Sequence, residues 1–186
     1  MRSSSPLSPA PHTCCDFEAR VPDGDNVERQ VCRRCGHVHY VNPKIVVGAV
    51  CSWHGRILLC RRAIEPRLGF WTIPAGYLEE RETPADGARR EAQEEALADI
   101  RIDRLLAIYA VPRISQVQLI FRAGLTDGQF GAGTESLETQ LFAWEEIPWN
   151  ELAFPSVFWA LHHHREVLGH SAFAPFDNPP PDKVWV

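Results

Sequence analysis

A segment near the middle of the chain combines a helix start with a dense group of carboxylates. Thr83 suits the cap position, Pro84 suits the first helical residue, and Asp86 favours the positive end of the helix dipole. At about 100° per residue, the alanines of this segment form one stripe that would let a helix pack closely on a sheet. An adjoining arc holds three carboxylates: Glu91, Glu94 and Glu95. The pattern predicts a helix to about Leu97, with one face on a sheet and one acidic face.

Two interpretations of the acidic face remain open on the helix pattern alone. Like charges this close repel each other unless cations lie among them, and carboxylate oxygens suit Mg²⁺ or Mn²⁺. The alternative is an ordinary solvated acidic face. The whole chain has a formal net charge of −5, so a polyanionic substrate would need cations supplied by the site. The same charge gives no support for a nucleic-acid partner.

The residues that precede the helix favour the metal interpretation. From Gly76 the sequence reads GYLEERETPADGARREAQEEAL. It resembles the Nudix box, which is Gly, five residues, Glu, seven residues, Arg-Glu, an apolar residue, any residue, Glu-Glu, Gly and an apolar residue. Every charged position matches. There are two departures: Ala96 replaces the usual Gly, and Arg81 stands where relatives often have Gly.

The resemblance implies a role for each charged residue of the box. Divalent metal ions would be held by Glu91, Glu94 and Glu95, with the Gly76 carbonyl as a further ligand. Glu82 and Arg90 would form a structural pair that fixes the loop against the helix.

Two residue types outside the box complete the expected site. The family often adds a Glu from a later loop as a ligand or base, and Glu135 and Glu138 are the candidates here. We assign Glu138 to the catalytic set and Glu135 to the substrate-binding set, and ordinary loop acids are the alternative for both. Trp71, beside the box, could stack on an adenine or flavin ring, although most tryptophans are core residues.

The cysteines near the start of the chain are spaced for a metal. Cys32-Arg-Arg-Cys35-Gly36 has the form of a zinc knuckle, and His12 with Cys15 has matching spacing upstream. Cys14 competes with His12 for the fourth position, and a degenerate knuckle of thiols without zinc is the alternative. The region resembles the N-terminal zinc ribbon of one Nudix subgroup. No export signal is recognisable, which favours a reducing cytoplasm and metal binding over disulfides.

The chain divides into four predicted regions. They are a disordered tail at 1–11, a zinc-ribbon-like module at 12–43, a Nudix hydrolase domain at 44–172, and a Pro-rich tail at 173–186 that is either loose or draped over the domain.

Strand and helix patterns alternate through the third region. Strands are predicted at 45–51, 57–60, 100–111, 115–125 and 140–144, with a short extended piece at 70–74 and a second helix at 155–168. We expect an α/β (α+β) fold, with a mixed sheet between helices in an α/β/α sandwich.

The resemblance implies hydrolysis of the diphosphate bond of a nucleoside diphosphate derivative, ADP-ribose or FAD, with release of AMP. NADH pyrophosphatase activity is a second possibility. Those relatives typically carry a Ser-Gln-Pro-Trp-Pro-like motif, where this chain has Ile114-Ser-Gln-Val-Gln118. A non-catalytic nucleotide-sensing or RNA-binding module is the third, although sensors commonly lose box acids.

No apolar run is long enough for a membrane span. The resemblance also suggests a homodimer.

Overall fold

The computed structural model describes residues 16–183 and residue 185. They form two compact units that meet in sequence at the bond between Asn42 and Pro43. Among the described residues, no helix has the length and apolar character needed to cross a membrane.

The first unit is a small three-stranded antiparallel sheet in the order β1-β2-β3. Its strands are β1 (Phe17–Arg20), β2 (Arg29–Cys32) and β3 (Val38–His39). The buried residues described in this unit are Pro22, Val31 and Cys32. So small an apolar core gives little hydrophobic stabilisation.

The second unit contains a mixed seven-stranded sheet and two helices. The strands are β4 (Lys44–Trp53), β5 (Arg56–Arg62), β6 (Trp71–Thr72), β7 (Ala75–Tyr77), β8 (Ile100–Val111), β9 (Gln116–Leu125) and β10 (Ser136–Phe142). The helices are α1 (Pro84–Ala96) and α2 (Pro155–Glu166). The main order is β10-β5-β4-β9-β8, with β6 beside β5 and β7 beside β4. Only β4 and β9 run parallel among the described pairs, which confirms the predicted mixed sheet.

The hairpin between β4 and β5 is closed by a two-residue turn. His54 and Gly55 both have positive φ, 48° and 77°, as a tight hairpin with the twist of its strands requires. Trp53 pairs with Arg56 next to this turn. The strands predicted at 45–51 and 57–60 therefore form an antiparallel hairpin.

The two helices lie on opposite faces of the sheet. The stripe of Ala88, Ala92 and Ala96 is fully buried in a cluster with alternate β4 residues such as Val47. The intervening β4 residue Val50 lies in the other cluster, with residues of α2 such as Leu161. Because successive strand residues point to opposite faces, the sheet is sandwiched between the helices. The predicted α/β/α fold is confirmed.

Several predicted boundaries were wrong, among them those of β10 and α2. β10 begins at Ser136, four residues before the predicted start at Gln140, and Trp144 lies in a short 3₁₀ turn after the strand. A bulge between Ser136 and Glu138 interrupts the alternation of the sequence, which hid the first half of this strand. α2 ends at Glu166 rather than Leu168.

The segment that follows α2 is draped over the second unit. The Phe176 N–H donates to the Leu106 carbonyl at 2.9 Å, and the Ile108 N–H donates to the Phe176 carbonyl at 2.8 Å. The Asn178 side chain bonds the backbone N–H and carbonyl of Ala110 at 2.8 and 2.7 Å. Of the two alternatives for this Pro-rich segment, the structure shows the draped one.

Candidate active site

The ends of α1 are held by local contacts that the sequence prescribes. The Thr83 hydroxyl accepts from the Asp86 N–H at 3.2 Å, which caps the first turn as predicted. At the other end, Leu97 adopts a left-handed conformation with φ 46°, and its N–H bonds the Gln93 carbonyl at 3.1 Å. The acidic residues of the helix therefore sit on a helix with both ends fixed.

Arg90, in the middle of α1, contacts three carboxylates. Its guanidinium forms a two-point contact with Glu82, at 2.8 Å from Nη2 to Oε1 and 3.1 Å from Nε to Oε2. Nη1 also donates to Glu91 at 2.7 Å and to Glu94 at 3.0 Å. The hydrogen bonds from Arg90 hold the pKa of Glu82 below its usual range, and they raise the pKa of Arg90. The contact between Glu82 and Arg90 fixes the loop after β7 against the helix.

Glu91 and Glu95 are buried between α1 and β7, with 7% and 6% of their surfaces exposed. Glu95 Oε2 accepts from the Ala75 N–H at 3.0 Å. The carboxylate of Glu91 occupies the space where Gly76 lacks a side chain, so a Cβ at that position would clash with it. The glycine of the box is thus needed to let a charged group approach the strand.

Burial makes these two acids hard to ionise. Desolvation raises the pKa of Glu95 to about 7, with the charges of Glu91 and Glu135 acting in the same direction. The Ala75 N–H and the charge of Arg62 oppose that shift. Desolvation also raises the pKa of Glu91, against the influence of Arg90. Two buried acids this close form a site where a cation would relieve a large electrostatic cost.

The backbone carbonyl of Gly76 does not face the acids, which corrects our sequence-based expectation. The Leu78 N–H bonds the Ile45 carbonyl and the Ala49 N–H bonds the Pro74 carbonyl, at 3.0 and 3.2 Å. In an antiparallel ladder, hydrogen-bonded pairs of residues alternate with pairs that are not hydrogen bonded. The pair of Gly76 and Val47 lies midway between the two bonded pairs just named, so it is also a hydrogen-bonded pair. The Gly76 carbonyl therefore points into the sheet. The residues on either side of it direct theirs outward. Ala75, whose N–H already binds Glu95, therefore presents its carbonyl to the acids.

The loop before β10 packs against the end of α1. The Gly131 N–H bonds the Ala96 carbonyl at 2.8 Å, and the Gly133 N–H bonds the Glu95 carbonyl at 3.1 Å. A side chain at Gly133 would clash with the carbonyl of Glu94. This close approach brings the last residue of the loop, Glu135, near enough for its charge to raise the pKa of the buried acids.

Glu138 is not a loop residue, contrary to our expectation. It lies in β10, and its carboxylate is 3.6 Å from Arg61 Nη1. It pairs with Arg61 of β5, directly after the bulge that follows Ser136. Of the two later acids, Glu135 is the one whose charge acts on Glu91 and Glu95.

Trp71 does not offer a stacking surface, so its assignment as a substrate-binding residue was wrong. It is 6% exposed and belongs to the core on the α2 face. Its ring meets that of Phe142 edge to face, with 4.9 Å between centroids. The strand β6 that carries it pairs with β5, which directs the indole into the core rather than toward the box.

Sequence reasoning missed two groups near the acids. The backbone N–H and carbonyl of Ala75 point away from β4 because of the register of β7, and no pattern in the sequence revealed that register. Arg62, at the end of β5, lowers the pKa of Glu95 through its charge and bonds the Pro66 carbonyl at 2.8 Å. In the sequence, Arg62 was marked only by its place among the arginines that follow the predicted strand at 57–60. Solvent-exposed arginines at a sheet edge would give the same pattern.

The donor set at this site is chemically suited to a hard divalent cation. It consists of carboxylates and one outward peptide carbonyl, all oxygen ligands. Within residues 16–183 and 185, no three His, Cys, Asp or Glu side chains stand together as a ready metal cage. Nη1 of Arg90 lies between Glu91 and Glu94 and neutralises them, while Glu95 has no such contact among the described ion pairs.

The predicted second zinc knuckle has a tight turn at its centre. The Gly36 N–H bonds the Cys32 carbonyl at 2.9 Å, and Gly36 takes a positive φ of 71° that reverses the chain. Cys32 is buried and Cys35 is exposed. The other predicted ligands, His12, Cys15 and the alternative Cys14, lie outside the described residues. Cys51 and Cys60 are core residues of the second unit.

Sequence comparison matches both units to known families. The model of the NUDIX domain family matches residues 42–167. A zinc-ribbon family described as Nudix N-terminal matches residues 15–41.

Individual proteins of known sequence or structure are also similar to this chain. A NUDIX hydrolase of Nitrosomonas europaea is 45% identical, and the match covers 87% of this chain and 93% of that one with a TM-score of 0.81. An ADP-ribose pyrophosphatase of Methanocaldococcus jannaschii is 28% identical over 119 residues, which are 62% of this chain and 69% of that protein. A MutT-like protein of Streptomyces ambofaciens is 33% identical over 102 residues, 55% of this chain and 64% of that protein.

The NUDIX match spans more than half of the chain and contains β4 through α2, with the box acids on α1 and in the loop just before it. The chain belongs to the Nudix hydrolase family.

Proposed function

We propose that this chain is a Mg²⁺- or Mn²⁺-dependent pyrophosphatase that cleaves the diphosphate of ADP-ribose into AMP and ribose 5-phosphate. The observation that carries the proposal is the pair of buried carboxylates, Glu91 and Glu95, held against the outward peptide of Ala75. Such a pair has a high cost in a merely structural role, because both carboxylates are removed from water and, among the described ion pairs, only Glu91 has a cationic partner.

In this proposal Glu91, Glu94 and Glu95 hold the divalent ions together with the Ala75 carbonyl. When bound, the ions neutralise diphosphate oxygens, activate a water molecule and stabilise the leaving phosphate. Arg90 keeps its two-point contact with Glu82, which fixes the loop after β7. Glu135 is the better placed of the two later acids to serve as a further ligand or base.

ADP-ribose is favoured over other diphosphates by the names of relatives. The similar protein from Methanocaldococcus jannaschii is named as an ADP-ribose pyrophosphatase. FAD offers the same ADP moiety with a flavin in place of the second ribose, and NADH offers it with a reduced nicotinamide. All three would release AMP, so the product alone does not distinguish them.

A substrate panel tests the proposal. The protein with Mg²⁺ is incubated separately with ADP-ribose, FAD and NADH, and AMP is measured against time. We expect the highest kcat/KM for ADP-ribose and no turnover when EDTA replaces Mg²⁺. Tight binding of these nucleotides without AMP release would contradict the proposal and favour a sensing role.

We also propose that Cys32 and Cys35 bind a structural zinc ion with two ligands from His12, Cys14 and Cys15. The tight turn at Gly36 and the match to the Nudix N-terminal family support this. Thiolates across such a turn suit the tetrahedral geometry of zinc.

A further inference from the structure

A patch of polar side chains lies on the face of the sheet opposite the acids. Tyr77 in β7 pairs with Val46 in β4, which in turn pairs with Gln118 in β9. Two residues earlier along β4, Lys44 pairs with Gln116 in the same way. Directly paired residues share one face of a sheet, and so do residues two apart on one strand. The side chains of these strands therefore form one contiguous patch on the α2 face.

Weak contacts join the members of this patch. Gln116 Nε2 donates to the Tyr77 hydroxyl and Gln118 Nε2 donates to the Gln116 Oε1, both at 3.3 Å. Lys44 Nζ lies 5.2 Å from the centre of the Tyr77 ring. A carboxamide has two donor hydrogens and an acceptor oxygen, so both glutamines keep hydrogen-bonding capacity for another molecule. The Tyr77 ring is half exposed, at 50%, and meets no other aromatic ring among the described residues.

The patch is joined directly to the site of the acids. Tyr77 follows Gly76, whose open Cβ position holds the Glu91 carboxylate on the α1 face. The Tyr77 carbonyl accepts from Arg90 Nη2 at 2.9 Å, on the outer edge of β7. In the described sheet that edge has no strand partner, because β7 pairs with β4 alone. A molecule lying across the edge would reach the acids with one end and the Tyr77 ring with the other.

We propose that Tyr77, Gln116 and Gln118 bind the adenine base of the nucleotide substrate, an inference that rests on the proposed pyrophosphatase function. The exposed tyrosine ring offers a stacking surface for a base. A glutamine carboxamide can pair with the amino group and ring nitrogen on one edge of adenine, in the manner it uses to recognise adenine in nucleic acids. Lys44 Nζ lies over one face of the ring, and half of the tyrosine's surface remains exposed to a ligand.

The first arm of the test measures binding without catalysis. AMP and ribose 5-phosphate are titrated into the wild-type protein and into Tyr77→Leu, Tyr77→Phe and Gln118→Leu by calorimetry. Loss of base stacking should weaken AMP about tenfold in Tyr77→Leu, with little change in Tyr77→Phe. Ribose 5-phosphate, which has no base, should bind all four proteins equally. Tyr40→Leu is the matched control, since Tyr40 is also an exposed tyrosine with a cation, Arg29, over its ring at 5.3 Å.

The second arm measures hydrolysis of ADP-ribose and of its hypoxanthine counterpart, IDP-ribose. We expect Tyr77→Leu and Gln118→Leu to raise KM for ADP-ribose with kcat within about twofold. The wild type should prefer ADP-ribose, and Gln118→Leu should lose part of that preference. Equal AMP affinity in the wild type and both leucine variants would overturn the inference. If AMP binding falls but ADP-ribose is not hydrolysed by the wild type, the base site stands and the proposed function fails.

Discussion

At the scale of single residues, the site depends on the position of a glycine as much as on the positions of the carboxylates. Glu91 approaches β7 through the space that Gly76 leaves open. Glu95, on the same face of α1, accepts from the N–H of Ala75, the residue before that glycine. The charged positions were predictable from their spacing in the box because a helix places such residues on one side. Which carbonyl faces the acids, that of Ala75 or that of Gly76, was not predictable from the sequence. It depends on which pairs of the β4–β7 ladder are hydrogen bonded.

Replacement of Gly76 by alanine tests the close approach. The new Cβ would clash with the Glu91 carboxylate, so Gly76→Ala should displace that group. We expect kcat for ADP-ribose to fall by on the order of a hundredfold, with a loss of about 1–3 kcal/mol in the free energy of unfolding. Steady-state AMP release and urea denaturation measure the two effects.

Gly124→Ala is the matched control for this substitution. Its Cβ would meet only the Ser52 carbonyl, at an ordinary 3.7 Å. Wild-type kcat in Gly76→Ala would show that Glu91 has no required position beside the strand.

At the scale of elements, predictability followed the regularity of the sequence pattern. α1 was predicted nearly to the residue because its cap, its alanine stripe and its acids agree. β8 and β9 were predicted as two long strands, and they pair with each other over nearly their full length. The start of β10 was missed because its bulge breaks the two-residue alternation, and that shift also misplaced Glu138. Trp71 was misplaced because a two-residue strand such as β6 has no pattern to show which face it presents.

α2 contains two buried histidines that link its stability to pH. His163 Nδ1 lies 2.7 Å from the Tyr109 hydroxyl, and its ring stacks on Phe176 of the draped segment. His164 is 3% exposed, and its Nδ1 has no hydrogen-bond partner among the described residues. Burial lowers the pKa of each histidine to about 4. Both are therefore neutral in the folded protein under ordinary conditions.

Acid should destabilise the fold through these histidines. Between about pH 6.5 and pH 4 the unfolded chain binds protons that the folded chain excludes, so the free energy of unfolding decreases as pH falls through that window. His164 should contribute at most about 1.4 kcal/mol per pH unit. His164→Leu should reduce this slope and lose no hydrogen bond from Nδ1. Urea denaturation at pH 7, 6 and 5 measures it.

The exposed His170 offers a control for the pH experiment. His170→Asn should keep the wild-type dependence on pH. An unchanged slope in His164→Leu would show that His164 is already protonated in the folded protein, contrary to its burial.

At the scale of the whole molecule, the two units differ in what stabilises them. The second unit has an extensive apolar core on each face of its sheet. The first unit has only Pro22, Val31 and Cys32 buried among its described residues, which is too little apolar surface for a stable fold of its own. A bound metal would supply the missing stabilisation.

Zinc removal should therefore affect the first unit selectively. We expect metal analysis to give about one zinc ion per chain. Chelation should unfold β1–β3, seen as loss of amide protection in hydrogen exchange, while β4–β10 stay protected. Cys35→Ser should lose the zinc, whereas Cys51→Ala, a change in the core of the second unit, should keep it. A zinc-free wild type with a protected first unit would contradict this account.

The most direct test of the central claim, a metal site built on the buried acids of α1, is the rate of AMP release from ADP-ribose by Glu95→Gln in Mg²⁺. The substitution keeps the size of the side chain and removes the charge of an acid buried beside Ala75. We predict a loss of at least about a hundredfold in kcat, with folding retained in the circular dichroism spectrum. Glu145→Gln, which removes an exposed carboxylate in the 3₁₀ turn after β10, should keep the wild-type rate. Hydrolysis by Glu95→Gln at the wild-type rate would contradict the account.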